Sequence, residues 1–243
     1  MRGRLLPPFA VCVCIAALSA RGRVDGAAAP GEQGTIAGHV RWTGKLPGNT
    51  VIRMGVDPLC AKINAGTTVV QESAVASRDG GLANVFVKVQ GSFPQAPAPT
   101  DSVTIDQKGC VYRPRVVGAL VGQTLRIMNS DPLLHNIHSL SDKSNAFNVG
   151  QPMAGMVYEV RLEDEEMLRV KCDIHRWMTA YVGVVSHPYF AVTGDGGTFT
   201  IRDVPAGIYT IQAWHELYGT LEQPVRVEPG ATTALDFTYP ASP

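Results

Sequence analysis

Apolar and polar positions alternate with a period of two over much of the chain beyond residue 34. The runs are Thr35–Trp42, Ala83–Gln90, Ser102–Asp106, Gln123–Asn129, Met156–Leu162, Met167–Cys172 and Ala180–Ser186. They continue with Thr198–Ile201, Tyr209–Trp214, Pro224–Val227 and Thr233–Tyr239. Each run alternates or is β-branched, and Gly, Pro, Asn or Asp separates it from the next, which predicts strands. No three-turn stretch repeats its apolar positions every 3.6 residues. The predicted fold class is therefore all-β, built as sandwiches. Gln95-Ala96-Pro97-Ala98-Pro99 reads as a linker. The acidic run Glu163-Asp164-Glu165-Glu166 reads as a solvated turn between two strands, with a docking patch as the sharper alternative.

Composition narrows this picture. The 243 residues are 45% hydrophobic and 17% charged, a globular balance rather than a disordered one. That length allows one or two domains with a sizeable core. With 25 Gly and 17 Pro, many short strands fit better than long helices. The formal net charge is zero, so the basic excess of a nucleic-acid binder is missing.

The first 28 residues form a separate object. Arg2 and Arg4 precede a mostly apolar stretch from Leu5 to Ala20, and small residues follow at Ala27, Ala28 and Ala29. This reads as a secretory signal peptide over residues 1–28, which places the mature chain in the periplasm or outside the cell. Its removal takes away four arginines and one aspartate. The remaining 17 basic and 20 acidic groups carry a net charge of −3. No membrane span is expected after that removal. Cys12 and Cys14 leave with the signal, and Cys60, Cys110 and Cys172 stay.

The chemistry concentrates in residues 169–181, Arg-Val-Lys-Cys-Asp-Ile-His-Arg-Trp-Met-Thr-Ala-Tyr. Cys172, His175 and Met178 are spaced three and three. A thiolate, an imidazole and a thioether on one short loop suit copper: two strong donors in plane, and a soft weak donor on the axis. The second histidine has to come from elsewhere, and Asn129-Ser130-Asp131-Pro132-Leu133-Leu134-His135-Asn136-Ile137-His138 lies 37 residues upstream. The blander reading of Cys172 alone is a buried inert thiol. Nucleophilic Cys–His chemistry is the other rival, but it leaves Met178 without a role and has no evident orienting group. His39, His138, His187 and His215 read as structural or surface histidines.

With these motifs in hand, the segment from Pro114 to Met178 resembles the cupredoxins, small blue-copper proteins such as plastocyanin and amicyanin. The resemblance covers roughly residues 100–187 and rests on the Asn-x-Asp turn, His135-Asn136 and the Cys-x-x-His-x-x-Met loop. The loop's short spacing is closer to amicyanin. The resemblance implies a Greek-key β-sandwich holding one type 1 copper. His135, Cys172 and His175 would be its equatorial ligands and Met178 its axial one. It also implies that Asn136 bonds toward the cysteine loop, although Asp173 stands where the family often has a hydroxyl residue. A binuclear copper centre would need two cysteines on this loop, and only one is present. With Cys172 committed to the metal in an oxidising compartment, Cys60 and Cys110 are expected to pair, stapling the copper domain to its host.

The flanking sequence has its own pattern. Thr35-Ile-Ala-Gly-His-Val, Ala83-Asn-Val-Phe-Val-Lys-Val, Gly197-Thr-Phe-Thr-Ile and Val204-Pro-Ala-Gly-Ile-Tyr-Thr-Ile resemble a transthyretin-like or carboxypeptidase-regulatory-like sandwich. The implied organisation is a host sandwich in two parts, 34–96 and 188–240, with a copper domain at 100–187. The copper domain is inserted into the host or joined to it in tandem. The expected function is non-enzymatic: an exported copper protein carrying single electrons between redox partners, such as a haem protein or a dehydrogenase. Its His175 edge is the expected exit route. The alternative is an envelope copper-binding, delivery or adhesion module without a redox role.

Overall fold

The computed structural model describes residues 32–45 and 48–240. The expected signal peptide lies outside the described residues. In chain order the strands are β1 (Gln33–Trp42), β2 (Phe86–Gln90), β3 (Val103–Gln107), β4 (Tyr112–Arg113), β5 (Val116–Leu120) and β6 (Thr124–Asn129). Next come β7 (His135–Ser139), β8 (Asn148–Gln151), β9 (Val157–Arg161), β10 (Glu166–Lys171), β11 (Thr179–Val185) and β12 (Phe190–Val192). The last are β13 (Thr198–Pro205), β14 (Gly207–His215), β15 (Gly219–Val227), β16 (Thr232–Ala234) and β17 (Phe237–Tyr239). One short helix, α1 (Pro58–Ile63), follows a 3₁₀ turn at Met54–Val56. The fold is all-β. Among the described residues no helix is long and apolar enough to cross a membrane.

Strands from both ends of the chain share sheets. One sheet orders β13-β1-β16, with β17 also on β1, and a second orders β12-β2-β14-β15. Their inward residues, among them Ile36, Val40, Val87, Phe199, Ile211 and Phe237, form one core. The strands in between build two other sheets, β4-β3-β6-β9 and β5-β11-β10-β7-β8. Ile105, Leu125, Ile127, Ile137, Leu168, Val170 and Val182 fill the space between those two. Alternation decides which side chains face in: along β10, Leu168 and Val170 are buried while Arg169 is exposed.

The two sandwiches meet across bare backbone. Gly118 and Gly183 sit opposite each other in the β5–β11 ladder. The ring of Phe190 lies on Gly118 and that of Phe86 on Gly183, and a Cβ at either glycine would collide with its ring. Arg115 and Glu216 form a pair across the same boundary, with Nη2 2.8 Å from Oε2 and both side chains largely buried.

Several strand boundaries differ from the sequence pattern. The run at Pro224–Val227 is only the end of β15, whose outer half is polar because it lies on a sheet edge. Thr233–Tyr239 is broken in two. Asp236 turns out of the ladder, and its Oδ1 accepts a hydrogen bond from the His39 N–H at 2.8 Å. β4, β5, β7, β8 and β12 are not among the predicted strands. β7 is buried at nearly every position, and β8 has only one buried residue, so neither shows clean alternation. The 95–99 segment links β2 to β3 without regular structure. The acidic run is the turn between β9 and β10, and it is more engaged than a solvated turn. Asp164 accepts from the Ser144 N–H at 2.8 Å, Glu165 from that of Ser186, and Glu166 from Ser141 and Asn145 at 2.8 and 2.7 Å.

Candidate metal centre

The end of β6 sets the first histidine. The Asn129 amide donates to the carbonyls of Leu133 and Gln151 at 2.9 and 2.8 Å, and its Oδ1 accepts from the Asp131 N–H at 3.0 Å. This side-chain turn aims Asp131 inward. Asp131 Oδ1 accepts from the Gly109 N–H at 2.8 Å, and Oδ2 accepts from that of Cys110 at 2.7 Å. Asp131 Oδ2 also lies 3.0 Å from His135 Nε2. A carboxylate at Nε2 fixes the proton there and leaves the Nδ1 lone pair facing the opposite way.

The loop between β10 and β11 sets the remaining donors. It is a tight turn, closed by hydrogen bonds from the Met178 N–H to the His175 carbonyl at 2.9 Å and from the Cys172 N–H to the Met178 carbonyl at 3.2 Å. The His175 N–H donates to Cys172 Sγ at 3.3 Å. His175 Nδ1 is 3.8 Å from Cys172 Sγ and 3.0 Å from His135 Nδ1. The three donor atoms of His135, Cys172 and His175 all lie within 4.8 Å of one another. Met178 is buried in the same core as Cys172.

Electrostatics favour the thiolate. Burial opposes ionisation of Cys172. The hydrogen bond with His135 and the N–H groups of Asn136, His175 and Ile174 outweigh it, and the thiol sits below its usual pKa. Burial likewise opposes charge on Asp131 and on His135. Their mutual hydrogen bond wins, lowering the carboxyl and raising the imidazole.

The second carboxylate comes from a part of the chain that the sequence reading left without a role. Asp57 caps α1, with Oδ1 accepting from the N–H groups of Leu59 and Cys60 at 2.8 and 3.2 Å. Its Oδ2 lies 3.0 Å from His175 Nε2, and that hydrogen bond holds the Asp57 carboxyl below its usual range. Cys60 and Cys110 are disulfide-bonded. Each cysteine N–H thus holds one carboxylate, each carboxylate holds one histidine, and the disulfide joins the two arms. The bridge ties the 48–85 excursion to the β3–β4 loop beside the centre. Two further groupings, Asp57–Cys60–His175 and Cys110–Asp131–His135, each include a cysteine of this bridge, so only Cys172 brings a free thiol.

One expectation changes. His175 is not a surface edge: it is 1% exposed, covered by Asp57, by Cys60 with Sγ 3.6 Å from Nε2, and by the Trp177 ring at 5.1 Å. His138 lies on the other face of β7 from His135, partly exposed, with Nδ1 3.0 Å from Asp173 Oδ2. Asn136 Oδ1 accepts from the Asp173 N–H at 2.6 Å and Asn136 Nδ2 donates to Asp173 Oδ2 at 3.2 Å, so both the backbone and the side chain of Asp173 link Asn136 to the cysteine loop. The missed residue, Asp57, was legible only as a helix cap: Asp-Pro is a start signal. Asp131 stood in the turn motif without an assigned role. His187 and His215 are buried away from the centre.

No protein-family model matches the chain, and a search of curated proteins found no match. Among solved structures it is similar to a purple cupredoxin from Nitrosopumilus maritimus at 25% identity, over 35% of this chain and 99% of that one, with a TM-score of 0.31. It is also similar to a mutant of amicyanin in the Cu(I) form at 18% identity, over 40% and 97%, again at 0.31. A copper-containing nitrite reductase from Thermus scotoductus aligns at 21% identity over 39% of this chain and 25% of its own, at 0.31. Likeness at that TM-score is too distant to carry an argument, and the donor set stands on its own geometry.

Proposed function

We propose that the protein is an exported type 1 copper protein that carries single electrons between redox partners. The observation that carries this reading is the convergence of one donor atom each from His135, Cys172 and His175 within 4.8 Å of one another in a buried pocket, with His175 Nδ1 3.0 Å from His135 Nδ1 and 3.8 Å from Cys172 Sγ. Two imidazole nitrogens, one thiolate and a thioether on the same loop form the donor set that copper favours over harder cations. Copper in such a site would supply a one-electron couple between Cu(I) and Cu(II).

The chain's own residues do the rest. Cys172 supplies the thiolate, already favoured by the hydrogen bonds it accepts. Asp131 and Asp57 hold the two rings so that both Nδ1 atoms face the thiolate. The disulfide and the sandwich fix that arrangement, which keeps reorganisation small when charge changes by one. A centre locked from both sides suits retention rather than release, which favours electron transfer over copper delivery. The terminal sandwich would present the centre to a partner.

The test is direct. The exported form, given one equivalent of Cu(II), is expected to develop an intense visible thiolate-to-copper band. The Cys172→Ala variant is expected to fold and remain colourless. A Cys172→Ala protein that still turns blue sinks the assignment. Rapid loss of Cu(I) to a mild chelator would favour the delivery reading instead.

A further inference from the structure

A buried redox centre exchanges electrons only where a partner can come close to it. The histidine side of this centre is closed. Asp57, α1 and the Cys60–Cys110 bridge lie over His175, and Asp131 lies behind His135. On the cysteine side Cys172 is itself buried, 1% exposed, but the residues around it border open space. Strict alternation along β10 sends Leu168 and Val170 inward and Arg169 and Lys171 outward. Thr179 stands opposite Lys171 across the ladder, and Arg176 reaches in from the donor loop. With Cys172 and Asp173 these residues wall an open hollow of about 380 Å³.

The hollow is cationic. Its one carboxylate, Asp173, is already engaged by Lys171 Nζ at 2.8 Å and by His138 Nδ1 at 3.0 Å. Among the described residues the arginines paired with carboxylates are Arg113, Arg115, Arg126 and Arg226. Arg169 and Arg176 have no such partner. Uncompensated positive charge in a concave wall focuses the local field and raises the encounter rate of anions. It does so here on a chain whose formal charge is zero overall, so the feature is local.

We propose that this hollow is where a redox protein docks with a carboxylate-rich face, and that the electron crosses at Cys172 rather than at the His175 edge. The proposal rests on the copper reading above and adds the route and the chemistry of the partner. One electron moves: the reduced partner loses it and the oxidised copper protein gains it. No bond forms or breaks, and no proton is transferred. Arg169 and Arg176 act by holding the partner's carboxylates, and Lys171 is shared with Asp173.

Two measurements test it. The first uses hexacyanochromate(III), a redox-inert paramagnetic trianion, titrated into the metal-free exported chain while amide NMR signals are followed. Broadening is expected to centre on residues 169–176 and to disappear in an Arg169→Gln/Arg176→Gln variant. Broadening centred on α1, or spread evenly, overturns the proposal. The second follows oxidation of the Cu(I) protein by hexacyanoferrate(III). The double variant is expected to keep its visible band and to react about tenfold more slowly at low ionic strength, the difference shrinking in salt. The control Arg202→Gln/Arg226→Gln, which removes the same number of charges from the terminal sandwich, is expected to change the rate little. Equal slowing in the control and the double variant overturns the route. A wild-type chain with no blue band sinks the copper reading, and with it the route, while the first measurement still decides whether anions dock there.

Discussion

The two sandwiches bury similar apolar cores but very different amounts of polar chemistry. The terminal sandwich encloses Ile36, Val87, Phe199, Ile211 and Phe237 with few buried polar side chains, chiefly Thr193 and His215. The central one buries Gln107, Asn129, Asp131, His135, Asn136, Gln151 and His175 at one end of its core. Burying a polar group costs free energy unless it is hydrogen-bonded. Gln107, Gln151, Asn129 and Asp131 are bonded in series onto His135 and His175, while Asn136 bonds to Asn148 and Asp173 and the Gln107 Oε1 stays unpartnered. The difference teaches where the molecule accepts instability for the sake of a site, and where it simply builds a scaffold.

The largest expected effect erases the link between the two regions. Arg115→Ala leaves Glu216 buried without its partner, which is expected to cost about 3–5 kcal/mol. Calorimetry should then resolve two transitions where the parent chain gives one. A single, uniformly lowered transition would show that Gly118, Gly183 and their facing phenylalanines suffice to couple the units.

Next comes the central unit alone. Replacing Cys60 and Cys110 by serine opens a bridge spanning 50 residues, worth roughly 4 kcal/mol in the chain-entropy model. Denaturant unfolding followed at Trp177, beside the centre, should show this loss. Once an Arg115 variant separates the transitions, the one from the terminal sandwich should keep its midpoint.

The terminal unit has a weakness of its own, in acid. Burial, aided by Arg115, pushes His215 down to about 4. The unfolded imidazole titrates near 6.5. The unfolded state therefore takes up the proton first, and stability present above pH ~6.5 is lost as pH falls toward 4, about 3 kcal/mol in all. Unfolding free energies measured at pH 7 and pH 4.5 should differ in this direction. His215→Gln should flatten the profile, and an unchanged slope in that variant would assign the acid sensitivity elsewhere.

The smallest effect tests the register of β7. His138→Ala removes a partly exposed pair with Asp173 and is expected to cost under about 1 kcal/mol, leaving the visible band intact. His135→Ala is expected to abolish the band, with added imidazole restoring part of it. The opposite outcome, with His138 essential, would move the donor to the other face of the sheet.

Much of this contrast was legible in the sequence, and the rest had a reason to be hidden. Local patterns carry local facts. Period-two alternation determined an all-β chain. The three-residue spacing of Cys172, His175 and Met178 determined that these side chains share one tight turn. The odd offset between His135 and His138 puts them on opposite faces only because the segment is a strand, which the structure and not the pattern supplied. Asp57 could be read only as a helix cap, because its second role depends on a contact 118 residues away. The same holds for Arg115 with Glu216, 101 residues apart, and for Gly118 and Gly183, which are bare because rings from another sandwich lie on them. The burial of His175 and the open cationic hollow beside Cys172 were likewise decided only in three dimensions. Whether a donor loop faces solvent depends on what the remainder of the chain lays over it, and no period or spacing within the loop records that.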